Sequence, residues 1–245
     1  METLCRNFLW DGGTEFMRSP LVSWDKVCKP VKEGGLGLKN NAHSNKAAIA
    51  KFVWWITSKS DHLWVKWVNI YYQQQQLSNQ KGHEYSIFKG YECLREKGAI
   101  VPWHGCVWNK WNIPKHSLMA WMYYHNSLNT NEKLKRLGIA EDDTCYLCGI
   151  ECESQDHLFF NCCYSKKILE NVEQQIKVKL STQNILAWLQ QKKGTIKKQG
   201  IVTAIVTACL YQIWRQRNQS KFELHLTKPE IVARQMMGDL RIRIQ

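Results

Sequence analysis

Apolar side chains recur at helical spacing along most of the chain, and glycine-rich or polar stretches interrupt them. Between Ser44 and Tyr72 there is no proline or glycine, and the spacing predicts one or two helices. The apolar positions of this stretch are Ile49, Phe52, Val53, Ile56, Leu63, Trp64, Trp67 and Val68. The preceding PVKEGGLGLKN is rich in glycine and predicts a loop, and QQQQ at 73–76 predicts a polar break.

Start and stop signals predict further helices in the second half. Pro114 opens a predicted helix with Leu118, Trp121, Met122 and His125 on one face, and Thr130 is the predicted N-cap of NEKLKRLG. Ser181 can cap ILAWLQQKK, which Gly194 ends. Further on, the spacing of Val202, Ile205, Val206, Cys209 and Ile213 predicts one buried helical face. Thr227–Glu230 has the form of a capping box that opens a last helix.

The charge of the chain is positive and unevenly placed. The formal net charge is +13, from 34 Lys/Arg and 21 Asp/Glu. Residues 163–245 hold 15 of those bases and 5 of those acids, a net of +10. This excess is typical of a polyanion-binding surface, most simply one for RNA or DNA, but a solvated helical surface explains it equally well. The candidate phosphate contacts are Lys192, Lys193, Lys197, Lys198, Arg215, Arg217 and Lys221.

The cysteines are the strongest chemical signal. CYLCGIECESQDHLFFNCC, residues 145–163, places Cys145, Cys148, His157 and Cys162 in a C-x2-C-x8-H-x4-C pattern. Three thiolates and one imidazole suit tetrahedral Zn²⁺, and four protein ligands predict one structural ion per chain. Chance clustering among 10 cysteines is the alternative. Cys152 and Cys163 are expected to lie outside the ligand set.

The compartment is predicted from what the sequence lacks. No apolar run of signal-peptide form follows the first charges, and the apolar stretch at 201–210 is too short to cross a bilayer. We therefore expect no membrane partner and an intracellular location, nuclear or cytoplasmic. Thiols stay reduced there, which favours metal binding over disulfides. The predicted fold is mainly α, with helical segments around a small zinc-stapled CCHC-type module.

The cysteine segment also resembles a known family, the zinc-binding domain that follows the polymerase in reverse transcriptases of plant non-LTR retrotransposons. Cys145, Cys148, Glu153, His157 and Cys162 match its C-x-x-C-x4-E-x3-H-L-F-x-x-C pattern. Upstream, Trp108, Pro114, Lys115, Trp121, Leu128, Thr130 and Leu134 match its W, P-K, W and L-x-T positions. The resemblance extends over FLWDGG, VSWDKVCKPVKEGGLGLKN and NKAAIAKFVWWI on one side and over YQIWRQRNQSKFE on the other. It implies a helical linker segment at 1–80, the zinc-binding domain at 86–170 and a basic helical region at 171–245.

Catalytic residues of a polymerase are not expected. Two-metal polymerases need paired carboxylates, and the only adjacent pair, Asp142 and Asp143, lies in the polar loop GIAEDDTC. The sequence also has no carboxylate set typical of ribonuclease H and no HExxH or comparable metal-hydrolase spacing. We expect no small-molecule substrate. The sequence thus predicts a non-catalytic structural-zinc protein, a remnant or host-encoded relative of such an element, binding RNA or DNA or a polymerase-bearing protein. A zinc-stapled protein-interaction module without nucleic-acid binding is the alternative.

Overall fold

The computed structural model describes residues 2–13, 19–71, 85–180 and 196–244. These residues form two compact units, Met1–Ile100 and Val101–Gln245, here called the N-terminal and C-terminal units. Within the described ranges no β-strand is present, and the sheet-like pairing consists of a single antiparallel bridge between Thr144 and Cys152. The mainly α prediction is confirmed. The three-part division of the sequence stays a prediction.

The N-terminal unit contains five α-helices and one short 3-10 turn among its described residues. The helices are α1 (Glu2–Asp11), α2 (Trp24–Val27), α3 (Asn41–Thr57), α4 (Leu63–Tyr71) and α5 (Ile87–Leu94), with the turn at Val31–Glu33. The predicted stretch from Ser44 to Tyr72 thus holds two helices. The glycine-rich segment is the predicted loop, and Gly34 follows the turn with φ +89°, which favours glycine.

Hydrogen bonds to side chains fix the start of α3 against α5. The Asn40 side chain accepts from the backbone N–H of Ala42 and His43 and so caps α3. The backbone N–H of Asn40 in turn donates to the hydroxyl of Tyr91 at 3.1 Å, and Tyr85 donates to the carbonyl of Ala47 at 2.8 Å. These bonds tie the loop-to-helix junction to the region around α5.

The apolar face predicted for α3 and α4 is not buried within this unit. Leu63 is 87% exposed, and Ile49, Phe52, Val53 and Trp67 are each at least half exposed. Helical spacing gave the right secondary structure here, since the period depends on local geometry. Helical spacing does not determine whether the apolar face of a helix is buried.

The C-terminal unit contains six helices in its described residues. They are α6 (His104–Val107), α7 (Pro114–Tyr124), α8 (Asn131–Arg136), α9 (Cys163–Ile176), α10 (Ile196–Glu223) and α11 (Pro229–Ile244), with a wide π-type turn at His157–Asn161. Pro114 opens α7 and Thr130 lies at the N-cap position of α8, as predicted, although Thr130 makes no side-chain capping bond. The predicted helix between Ser181 and Gly194 lies outside the described residues.

Helix α10 is the centre of the C-terminal unit. It contacts α6, α7, α9, α11 and the π-type turn. The predicted face is buried at Ile205, Val206, Cys209 and Ile213, and residues 203–210 are buried on every side. A core of Trp121, Leu158, Phe159, Ile168, Met236 and Leu240 surrounds it. Because several helices cover α10, more of it is buried than the single apolar face that the sequence spacing predicts.

Candidate metal centre

The four predicted ligands come together in one group. The ligand atoms of Cys145, Cys148, His157 and Cys162 all lie within 4.8 Å of one another. The Sγ atoms of Cys145 and Cys162 are 4.0 Å apart, and Nε2 of His157 lies 3.4 Å from Sγ of Cys148. Bonds of about 2.3 Å from zinc to sulfur place tetrahedral sulfurs about 3.8 Å apart, so the spacing fits a zinc ion.

Two backbone devices position the ligands within residues 145–162, here called the ligand segment. The first pair lies on a tight turn in which the backbone N–H of Gly149 donates to the carbonyl of Cys145 at 2.8 Å, and Gly149 has φ +68°. The second pair flanks the π-type turn, where the N–H of Cys162 donates to the carbonyl of His157 at 2.7 Å. The wide turn lets two positions five residues apart converge on one point.

Cys162 also stands at the start of a helix. It is the N-cap of α9, where its Sγ accepts from the Cys145 thiol at 4.0 Å and lies near the first backbone N–H groups of the helix. The bond from Cys145, followed by these N–H groups, lowers the pKa of Cys162 well below its ordinary value. A helix N-terminus favours the thiolate, which is the form that ligates metal.

His157 has contacts at its backbone N–H and at both ring nitrogens. Its backbone N–H donates to the hydroxyl of Ser154 at 3.0 Å, and Nε2 points to Cys148. Nδ1 lies 3.0 Å from a carboxylate oxygen of Glu151. The two atoms are in contact but are not aligned as a hydrogen bond. A carboxylate beside the second nitrogen of a metal-bound histidine tunes that ligand. The sequence pattern did not single out Glu151.

Glu153 matches the family pattern, which gives it no role, and its side chain is fully buried in the structure. Its Oε1 accepts from the backbone N–H of Asn131 at 2.9 Å, and its Oε2 accepts from that of Tyr146 at 3.1 Å. Arg217 of α10 donates to the same Oε1 through Nε and Nη2, at 3.0 and 2.7 Å. One carboxylate thus joins α8, the ligand segment and α10.

Cys152 and Cys163 lie outside the four-residue group. Both side chains are exposed. Cys152 pairs through its backbone with Thr144, and Cys163 is the first residue of α9. Neither thiol is part of the converging group.

The predicted phosphate contacts do not form one set. Lys197, Lys198 and Arg215 are exposed on α10, and Lys221 is half-buried. Lys192 and Lys193 lie outside the described residues. The structure corrects the prediction that Arg217 contacts phosphate. Its side chain is 3% exposed and pairs with Glu153, so its guanidinium is not presented to a phosphate. Basic charge alone does not distinguish a surface arginine from one that satisfies a buried carboxylate.

The fold and site define a helical unit with a Cys₃His group of structural zinc type. Residues 85–168 match the family described as zinc-binding in reverse transcriptase, and the resemblance predicted from the sequence is confirmed over that segment. No solved structure matches the chain.

Two curated plant proteins are similar over part of the chain. A putative ribonuclease H protein of Arabidopsis thaliana is 41% identical over 64 residues, which cover 26% of this chain and 10% of that protein. An uncharacterized mitochondrial protein of the same plant is 37% identical over 68 residues, covering 27% of this chain and 48% of that protein. The chain therefore matches less than half the length of either. Among the described residues no helix is long and apolar enough to cross a membrane.

Proposed function

We propose that Cys145, Cys148, His157 and Cys162 hold one structural Zn²⁺ in a non-catalytic module of the reverse-transcriptase zinc-binding type. The convergence of these four atoms within 4.8 Å carries the proposal. Three thiolates and one imidazole fill a tetrahedral zinc shell, which leaves no position for water or substrate. The ion would stabilise the ligand segment rather than perform chemistry.

The zinc proposal is tested by metal content. We expect about one zinc per purified chain, by mass spectrometry of the metal. Cys145→Ser should lose that zinc together with cooperative unfolding of the C-terminal unit, because binding free energy at such sites is folding free energy. Cys163→Ser, at an exposed cysteine adjoining the ligands, is the matched control and should retain both. Zinc retained by Cys145→Ser would overturn the assignment.

The same module is proposed to bind RNA or DNA through the basic surface of α10. Exposed Lys197, Lys198 and Arg215, with half-buried Lys221, supply the cations, and residues 163–245 carry a net charge of +10. Contacts to phosphates release counterions, so affinity should fall steeply with salt. A polymerase-bearing protein is proposed as a further partner, on the basis of the family resemblance alone.

Salt dependence tests this half of the proposal. Binding of a labelled oligonucleotide is measured by fluorescence anisotropy between about 50 and 200 mM salt. The double variant Lys197→Gln/Lys198→Gln should weaken binding and flatten the salt slope, and Lys89→Gln, at an exposed lysine of α5, should do neither. Binding that is absent or independent of salt would favour the alternative, a protein-interaction module.

A further inference from the structure

Aromatic rings of α10 and of the ligand segment lie beside lysine side chains. Lys115 lies 5.0 Å from the ring centre of Tyr211, and Lys221 lies 5.1 Å from that of Tyr146 and 5.5 Å from that of Phe222. Such spacing is that of cation–π pairs. Phe222 is 72% exposed, so this ring is presented to solvent rather than packed in the core.

A groove of about 320 Å³ lies beside these rings. Its lining residues follow α10 at helical spacing and combine aromatic, amide and charged side chains, one cationic and one anionic: Tyr211, Trp214, Arg215, Asn218, Gln219, Phe222 and Glu223. At a rise of 1.5 Å per residue, the span from Tyr211 to Phe222 is about 16 Å. The groove is therefore long enough for a few successive planar groups.

We infer that this α10 groove binds unpaired bases of a single-stranded nucleic acid. The inference rests on the proposed function and names the form of nucleic acid and the place where it is held. Aromatic rings stack on any base, and cations beside them contact the phosphates that link those bases. Bases in a duplex are already stacked on each other and do not offer their faces to a groove.

The charge and the polar groups favour this occupant over an acidic peptide. Arg215 and Lys221 outnumber the one carboxylate of the lining, Glu223. Asn218 and Gln219 add amide groups, whose oxygens already accept from Arg217 and Gln216. An acidic peptide would use the cations and leave the exposed ring of Phe222 without a flat partner. A nucleotide strand uses both the cations and the rings.

Two fluorescent oligonucleotides of equal length, one ordinary and one entirely abasic, separate stacking from phosphate binding. Both carry the same phosphates, but only the first has bases. We expect the protein to bind the ordinary strand more tightly. Phe222→Ala should weaken that binding about 5- to 100-fold and leave the abasic strand unaffected. Because Phe222 is exposed, the variant should keep its zinc and its fold.

The matched control is Phe88→Ala, which removes another exposed ring beside a lysine, here Lys39 of the N-terminal unit. It should change neither affinity. Equal affinities for the two strands, or no effect of Phe222→Ala, would overturn the groove while leaving phosphate binding intact. Binding to neither strand would overturn the nucleic-acid half of the proposed function as well, and would point to a protein partner.

Discussion

Arg217 and Glu153 form a buried ion pair that joins the C-terminal part of α10 to the ligand segment, with Nη2 2.7 Å from Oε1. Neither side chain is more than 3% exposed. The guanidinium also donates to the carbonyl of Asn129 and the side chain of Asn131, each at 3.2 Å. Because these donors and acceptors are satisfied together, the pair fixes the position of α10 relative to the proposed zinc site.

Removing the charge of Glu153 should be strongly destabilising. Glu153→Gln leaves the Arg217 guanidinium buried without its carboxylate, which costs about 3–5 kcal/mol in comparable pairs. We expect a loss of that size in the free energy of unfolding, measured by urea titration and followed by circular dichroism. The zinc content of the variant should fall with it, because the Tyr146 N–H also loses its charged acceptor.

Asp143→Asn provides the control for this variant. It breaks the Lys135–Asp143 pair in the same unit, at 3.0 Å, but both partners are at least one-third exposed. Exposed pairs contribute about 0–1 kcal/mol. Equal losses in Glu153→Gln and Asp143→Asn would contradict the role given to burial.

Zinc affinity should depend on Glu151, although Glu151 is not one of the proposed ligands. Its carboxylate lies 3.0 Å from Nδ1 of His157, the ring nitrogen that does not point to Cys148. Glu151→Gln should weaken zinc binding about 10-fold or more, as comparable partners of metal-bound histidines do. Competition with a chromophoric chelator measures this directly. Glu170→Gln, at an exposed acid of α9, should bind zinc like the unaltered protein.

Sequence spacing was sufficient to bring the four candidate ligands together, because C-x-x-C and the H-x4-C gap are local patterns. The role of Arg217 was not predictable in this way. It lies 64 residues from Glu153, and only the tertiary path of α10 makes them partners. From the sequence, the positive charge of Arg217 predicts a surface position, whereas in the fold the guanidinium is buried and pairs with a carboxylate.

The N-terminal unit shows that periodicity predicts helices without predicting their burial. The period of apolar residues in the stretch 44–72 predicts one or two helices, and two form, at Asn41–Thr57 and Leu63–Tyr71. Yet Leu63 and Trp67 remain largely exposed in that unit. Periodicity reports the local backbone, while burial depends on which elements meet, and that information is spread over the whole chain.

His116 should make stability dependent on pH. Its side chain is 1% exposed, packs on the ring of Tyr211, and has no hydrogen-bond partner at either ring nitrogen within the described residues. Burial lowers its pKa from 6.5 to about 4, assisted by the charge of Lys115 and opposed by that of Asp239. The folded state therefore favours neutral imidazole, while the unfolded chain takes up the proton.

The sign follows from this difference in proton uptake. Between pH 6.5 and about 4 the unfolded state binds more protons, so stability is full above pH 6.5 and is lost as the pH falls through that window. One pKa unit corresponds to about 1.4 kcal/mol, so the loss should be at most a few kcal/mol. Urea titrations at several pH values should show a steeper decline for the unaltered protein than for His116→Phe. Identical pH profiles would contradict the prediction.

Two glycines in long helices should respond oppositely to alanine. Gly200 in α10 faces Trp111, and a Cβ there would lie 2.6 Å from Cδ1 and 2.9 Å from Nε1 of the indole. Gly238 in α11 has no atom within 4 Å of such a Cβ. Alanine in a helix interior is favoured over glycine by about 0.5–1 kcal/mol, whereas overpacking costs about 1–3 kcal/mol.

Gly238→Ala should therefore stabilise the protein by about 0.5–1 kcal/mol, because helix propensity acts alone there. Gly200→Ala should destabilise it by about 1–2 kcal/mol, since Trp111 must move and the overpacking cost exceeds the propensity gain. Urea unfolding of both variants under one set of conditions measures the contrast. Stabilisation by both substitutions would mean that Trp111 yields freely and does not hold the first turns of α10 in place.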